Sequence, residues 1–408
     1  MTEEIAFRQR RALIVGGSLA GLIAGNLLHR RGWDVDIYER TSGVLEGRGA
    51  GITVLPGLIE GLQAAGVDIT EAALGVELPA RVALDRTGRV VAERTFSQVM
   101  TSWRRLYELL KGVFPDARYH SGVSVEHIEQ TDATVSAYLT DGKRLDADLL
   151  IGADGLRSTV RSRFLPQIKP HYPGYVAWRC LADENDLSPA TRELLLGRYA
   201  VCVAPGEQGI GYPVPGPQHS VERGKRQYNV VWYSPVREHE ELPGLLTDDS
   251  GRYHPNGIAP SLISARVRAR MVERAAQVLA PQFAEAIARS RLVFFQPIVD
   301  LEMPRLVFGR IVVIGDAAFV ARPHVAMGVP KAAGDALALV TAIHEGNGLA
   351  PFEAQRMRVG AAIVARGRYL GAYMEAQLKS DEEREQAQQR RIPEQVMMET
   401  AAPMDYSR

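Results

Sequence analysis

Short apolar runs separated by helical stripes open the chain. A two-residue alternation replaces them in its middle and gives way again near its end. Ala12 to Val15 is an apolar run of strand length, and Leu22 to His29 places Leu22, Ile23, Leu27 and Leu28 on one helical stripe. Asp34 to Tyr38 is a second strand that ends on Glu39. Leu58 to Ala65 predicts a helix stopped by Gly66, and Trp103 to Val113 predicts another with Leu106, Leu109 and Leu110 inward. Arg81 to Glu93 predicts a hairpin turning at Asp85 to Gly88, with Val82, Leu84, Val90 and Val91 alternating around it. Val123 to Ile128, Thr134 to Leu139 and Lys143 to Ala147 read as strands, the last two joined at Asp141-Gly142. A buried strand from Leu149 ends at Gly152, and Asp154-Gly155 turns into a helix carrying Arg157, Ser158 and Arg161.

From Tyr172 to Val236 aromatics, prolines and alternating strands dominate, which predicts a mainly antiparallel sheet. Pro215 to Gln227 and Asp248 to Pro260 read as loops, and Pro260 to Val278 as helical. The opening pattern then returns. Arg310 to Ala318 is a strand ending in Gly315-Asp316, followed by a loop from Ala321 to Pro330 and a helix from Lys331 to His344. A final helix runs from Pro351 to Ser380.

These elements predict an α/β protein: a doubly wound, mainly parallel, Rossmann-like sheet with an inserted, mainly antiparallel second domain. The expected division gives 1–78, 101–170 and 291–348 to the first domain. The hairpin 79–100 and the stretch 171–290 go to the second, 349–380 is a C-terminal helix, and 381–408 a polar tail. That tail has little apolar content and is expected to fray or pack loosely.

The first turn changes this from a fold to a candidate site. Gly16, Gly17, Ser18 and Gly21 make a glycine-rich turn between strand and helix, and Glu39 follows about 20 residues on. Gly16 permits the sharp turn, Gly21 lets the helix approach the strand, and the free N–H groups of the helix N-terminus suit a pyrophosphate. Glu39 can accept both ribose hydroxyls of an adenosine. Ser18 stands where this fingerprint usually has its second glycine; its hydroxyl can donate to a phosphate. Only one such fingerprint is present.

Composition narrows the classes. The 408 residues suffice for two domains, and 48 basic against 48 acidic side chains give no electrostatic footprint for nucleic acid or a membrane surface. Cys180 and Cys202 form neither a disulfide framework nor a metal-ligand spacing, so no metal is expected and buried packing suits both. A reducing, cytoplasmic setting is the expectation. The charged start lacks the apolar core of a signal peptide, and no apolar run approaches spanning length. No serine sits in a G-x-S-x-G elbow, which argues against a hydrolase. Oligomeric state is open, a homodimer included.

Three motifs stand in order: GGSLAG (Gly16 to Gly21) with Glu39, GADGLRSTVR (Gly152 to Arg161) and GDAAFVARPHVAMG (Gly315 to Gly328). Over roughly Arg10 to Arg368 they resemble the group A flavoprotein monooxygenases, the para-hydroxybenzoate hydroxylase family. Its dihydroxypyridine hydroxylase branch is the most similar. The GGS turn, TSW before Arg104, YxGYxxWR at Tyr172 to Arg179 and RPHxAxG at Arg322 to Gly328 carry that likeness.

The resemblance implies FAD, a transient visit by NADH or NADPH, O2, and hydroxylation of an electron-rich aromatic ring through a flavin hydroperoxide. It makes a hydroxypyridine or other N-heteroaromatic the first-choice substrate and a simple phenol the second. A non-oxygenating FAD reductase or oxidase is the alternative, and a flavin-binding protein without turnover a third reading.

Carried over residue by residue, Glu39 with Arg40 beside it would bind the adenosine ribose. Leu19 and Ala20 complete the first turn. Asp154 would sit near the pyrophosphate, Gly315-Asp316 would hold the ribityl chain, and Arg48 and Gly51 would lie on the flavin side of their loop. Ala326 and Gly328 occupy the family's glycine positions; Phe319 replaces its usual histidine, Pro330 its asparagine and Trp103 its helix-opening arginine.

His324 is the candidate catalytic residue: histidine titrates near neutrality and can take a proton from a ring hydroxyl. A structural brace for the loop is the rival role. Tyr175, Arg179, Tyr212 and Pro323 are candidate pocket residues, with Trp232 and Tyr233 as further aromatics. Sheet core is the alternative for the aromatics, and a core Trp178 with a salt-bridged Arg179 is the favoured reading of that pair.

Overall fold

The structure is a computed structural model that describes residues 10–43, 51–69, 74–346, 348–377, 379–389 and 391–404. The predicted strand–helix–strand is there. The strand Arg11–Val15 runs parallel to both Asp34–Glu39 and Leu149–Gly152, and the helix Leu19–His29 crosses between the first two. The sheet has six strands in the order Val307–Phe308, Ile311–Val313, Leu149–Gly152, Arg11–Val15, Asp34–Glu39, Tyr119–Ser121, all parallel except the first. Its central strands are apolar on both faces: the helices Trp103–Gly112 and Gly328–Glu345 pack beside Leu19–His29 on this core, and Val125, Ile128, Val135, Ala137 and Leu139 of a small separate sheet join it as well.

The second sheet has eight strands, in the order Leu292–Pro297, Tyr175–Asp183, Gln227–Pro235, Glu207–Val214, Arg198–Ala204, Val76–Leu84, Val90–Ser102, Gly51–Val54. It is antiparallel throughout except where Arg198–Ala204 meets Val76–Leu84. The predicted hairpin at residues 81–93 is the tip of a longer one, whose second strand reaches Ser102. Gly51–Val54 and Leu292–Pro297 also belong to this sheet, although the sequence pattern placed them in the first domain. Both are short apolar runs, which periodicity alone cannot assign to either sheet. The three strands Val125–Gln130, Val135–Leu139 and Arg144–Ala147 form a separate small sheet.

Alternation along the Tyr175–Asp183 strand sends Val176, Trp178 and Cys180 to one face, where the helices Ala265–Val278 and Pro281–Ala288 cover them. Tyr175, Ala177 and Arg179 point to the other, beside Tyr199, Tyr212 and Tyr233. That second face concerns function.

The tail departs most from expectation. Asp381–Gln389 and Pro393–Glu399 are helices, and Met397, Thr400 and Ala401 are buried. The polar composition hid a helix held by a few specific contacts rather than by a wide apolar stripe. No helix among the described residues is long and apolar enough to cross a membrane.

Candidate functional site

The first turn is close-packed backbone. Gly16 has φ +104°, and a Cβ there would lie 2.4 Å from the Ala153 carbonyl oxygen. A Cβ on Gly21 would lie 1.9 Å from the Gly16 carbonyl oxygen, so helix and strand meet at a distance only glycine allows. Glu39 is buried. Its Oε2 accepts from the Gly17 amide at 3.0 Å and its Oε1 from the Thr41 amide at 2.9 Å. Each oxygen keeps a lone pair for a further donor. Tyr119 donates to the Gly17 carbonyl at 2.9 Å and clamps the turn from the neighbouring strand. Ser18 is the N-cap of the Leu19–His29 helix, but its side chain makes no capping bond. Leu19 is buried, Ala20 half-buried and Arg40 exposed. Arg48 lies outside the described residues.

Asp154 does not stand free. It accepts from the Ser158 hydroxyl at 2.5 Å and from the amides of Thr159 at 2.6 Å and Val160 at 3.3 Å. It therefore braces the first turn of the Thr159–Phe164 helix, whose N-cap is Ser158, and burial pushes its carboxyl up despite those donors. Its backbone, not its carboxylate, abuts Gly16.

Asp316 is the converse. It sits at the start of the 3-10 turn Gly315–Ala317, open to solvent yet surrounded by protein. That desolvation raises its carboxyl above the usual range against the pull of Lys331, and no described residue donates to it. Beneath it lies a buried ion network that the sequence reading missed. Asp335 accepts from the Gly315 amide at 3.0 Å, from Lys331 Nζ at 2.9 Å and from Arg356 Nε at 2.7 Å; Lys331 Nζ also donates to the Gly315 carbonyl at 2.9 Å. Both polar groups of the Gly315 backbone are thus fixed, and Asp316 is aimed outward. Lys and Asp four residues apart in a helix were the available signal.

The loop after this turn ends at Ala326, a non-glycine residue at φ +53°, before Gly328 opens the next helix. Arg322, fully buried, pins the loop through Asp300 and Glu375, each at 2.9 Å. His324 is 1 % exposed, and its Nε2 lies 3.0 Å from the Tyr175 hydroxyl. The Tyr233 ring packs 4.0 Å from its centroid. Its Nδ1 has no partner among the described residues.

Burial, with the charges of Arg391, Arg322 and Arg179, holds His324 well below the usual histidine value. The premise that it titrates near neutrality is therefore corrected: its imidazole is neutral at pH 7. Arg179 also departs from expectation. Trp178 is a core residue against Phe295, but among the described residues Arg179 has no salt bridge and its Nε is unpaired; its guanidinium faces the Tyr212 hydroxyl. Tyr212 donates to the Gly51 carbonyl at 3.0 Å, which ties this face to the start of the edge strand Gly51–Val54. Pro323 is half-buried next to His324. No group of three or more His, Cys, Asp or Glu among the described residues is placed to hold a metal.

A turn that only glycines permit, a buried acid at a strand end, and an unpartnered carboxylate on a fixed turn make a donor set suited to a dinucleotide. The comparisons agree. A family model described as FAD binding domain-like matches residues 172–300. The 2,6-dihydroxypyridine 3-monooxygenase of Paenarthrobacter nicotinovorans is 31% identical over 361 residues, covering 87% of this chain and 89% of that protein.

The chain belongs to the group A FAD-dependent aromatic hydroxylases.

A solved structure of 2,6-dihydroxypyridine-3-hydroxylase from Arthrobacter nicotinovorans matches with a TM-score of 0.84 at 29% identity, covering 90% of this chain and 93% of the other. A 3-hydroxybenzoate 6-hydroxylase of Polaromonas naphthalenivorans (strain CJ2) is 27% identical over 385 residues, 90% of this chain and 88% of that one. The glycine turn, Glu39 and Gly315-Asp316 offer groups that fit FAD, and the tyrosine- and arginine-lined sheet face with His324 is a separate surface.

Proposed function

We propose that the protein uses NADH or NADPH and O2 to hydroxylate an activated aromatic ring, with a hydroxypyridine or another hydroxylated N-heteroaromatic as substrate. Per turnover one C–H becomes C–OH, the nicotinamide gives up a hydride, and the second oxygen atom leaves as water. FAD, when bound, supplies the transfer of electrons to oxygen and of oxygen to carbon. This chain's residues bind and orient the ring and keep water from the reacting atoms.

The observation that carries the reading is the pairing of Arg179 and His324. Two buried polar side chains, each with a nitrogen that no described residue satisfies, share one aromatic face. Buried donors without partners are costly, and a planar substrate bearing oxygen and ring nitrogen would satisfy both. Tyr175, Tyr212 and Tyr233 offer the flat walls such a ring needs.

His324 acts here as a neutral hydrogen-bonding group to the ring hydroxyl. With Tyr175 donating to Nε2, Nδ1 carries the hydrogen and donates; with the roles reversed it accepts. The likeness to the dihydroxypyridine enzyme favours a hydroxypyridine over a benzoate.

The test is a substrate screen on the purified holoenzyme. A hydroxypyridine should stimulate NAD(P)H oxidation and yield a product heavier by one oxygen atom. Tight coupling to a hydroxybenzoate, with no response to any hydroxypyridine, would reject the substrate class. Stimulated oxidation with no oxygenated product would favour the reductase or oxidase alternative.

A further inference from the structure

We propose that the C-terminal segment Arg391 to Ala401 is a strap that positions the His324 loop on the substrate face, and that Arg81 is the positioning residue that latches it. The inference rests on the reading of that face as the substrate site.

Arg81 lies on the Val76–Leu84 strand, is fully buried, and has no carboxylate against it among the described residues. A buried guanidinium needs acceptors for its five N–H groups. Arg81 finds them in Gln98 Oε1, at 3.0 and 2.6 Å, and in three main-chain carbonyls of the C-terminal segment: Met397 at 2.9 Å, Thr400 at 2.8 Å and Ala401 at 3.1 Å. These carbonyls lie in and just beyond the last turn of the Pro393–Glu399 helix, where helix geometry leaves oxygens unpaired and the dipole favours a cation. Phe96 and Tyr199 rings lie 4.0 and 4.8 Å from the guanidinium carbon and hold it in plane. The cation and the helix end complete each other.

The segment then reaches the candidate site. The Ala401 amide donates to the His324 carbonyl at 2.8 Å. Ala401 adopts φ +51°, a left-handed conformation uncommon for alanine, as the chain turns to make that contact. Met397 and Ala401 share a buried cluster with Tyr175, Tyr212 and Tyr233. Arg391 donates to Gln208 Oε1 and stacks over Tyr373, while Gln208 donates to the Thr400 hydroxyl at 3.3 Å. The His324 loop is therefore held at Arg322 by the ion pairs with Asp300 and Glu375 and at His324 itself by the strap.

The experiment uses full-length holoenzyme with Arg81→Met and Arg81→Lys. Hydrogen exchange of peptides covering residues 322–327 and 393–404 should quicken together by about tenfold or more in Arg81→Met, and Arg81→Lys should recover part of the protection. FAD affinity, measured by titrating the apoprotein, should change by less than about twofold, because the FAD-fitting residues lie elsewhere. With a hydroxylated substrate, product formed per NAD(P)H consumed should fall while oxidation continues.

If residues 393–404 loosen and 322–327 keep wild-type exchange, the strap does not position the loop and the proposal is overturned. If Arg81→Met does not fold, Ala401→Pro decides. It removes the amide that meets His324 and forces the backbone out of φ +51°, so the carbonyl held by Arg81 moves too, and unchanged exchange at 322–327 would be equally fatal. The exchange readout needs no substrate, so a failed hydroxylation screen leaves it standing.

Discussion

The FAD-fitting turns and the proposed substrate face are built in opposite ways. The first turn uses backbone: Gly16, Gly17 and Gly21 allow close approach, and Glu39 fixes amides. Its parts lie within one short stretch. The substrate face uses side chains drawn from distant strands, with Arg179 and Tyr212 from two of them, His324 from a loop, and Ala401 from the end of the chain. A cofactor shared by a whole family can be held by backbone, whereas a particular substrate needs particular side chains. The two regions should therefore fail separately when altered.

The largest effect is expected where the FAD-fitting turn rests on buried charge. Asp335→Leu leaves Lys331 and Arg356 without their carboxylate, at a cost of about 3–5 kcal/mol. Thermal unfolding should shift down and flavin should be lost with it; unchanged stability would mean that the network does not support the turn. Asp316→Ala should be milder and more selective. Losing a carboxylate that accepts from bound hydroxyls costs roughly 1.5–3 kcal/mol, about one to two factors of ten in FAD affinity. The protein should stay folded and lose its yellow colour on dialysis; full retention of colour would refute the assignment.

On the substrate side, His324 is held neutral in the folded protein, so the unfolded chain binds the proton first as pH falls. Its contribution is fully present above about pH 6.5 and is lost below it, at about 1.4 kcal/mol per pH unit. Denaturation at pH 7.5 and 5.5 should show this slope in the wild type and a shallower one in His324→Asn. The smallest effect should come from Ser18→Gly, which trades a neutral hydroxyl for the family's glycine. FAD affinity should change by less than about tenfold, about 0.5–1.5 kcal/mol; a larger loss would make Ser18 a principal phosphate ligand.

What could be read from the sequence follows the same division. The strand–turn–helix at Arg11 to Glu39, the Gly315-Asp316 turn and the α/β class were legible because local periodicity and glycine spacing encode them. The pairing of the strands Gly51–Val54 and Leu292–Pro297 in the eight-stranded sheet was not legible because their partners lie far off in the chain. Asp154 was noted for its place after a strand, but its contacts with Ser158, Thr159 and Val160 were not legible, because they depend on how the turn folds back on itself. His324 was found, but its protonation depends on Arg391, Arg322 and Arg179, which only the folded chain brings near it. The C-terminal strap left no periodic signal, since one buried arginine and three carbonyls hold it.

The central claim is that the substrate face receives an oxygen atom from O2. The direct test is turnover of a hydroxypyridine under isotopically labelled O2, with the product read by mass spectrometry. One labelled oxygen per product molecule, in proportion to NAD(P)H consumed, is the predicted result. Label found only in hydrogen peroxide or water, with the substrate unchanged or merely oxidised, would contradict the account and assign the protein to the non-oxygenating flavoenzymes of this fold.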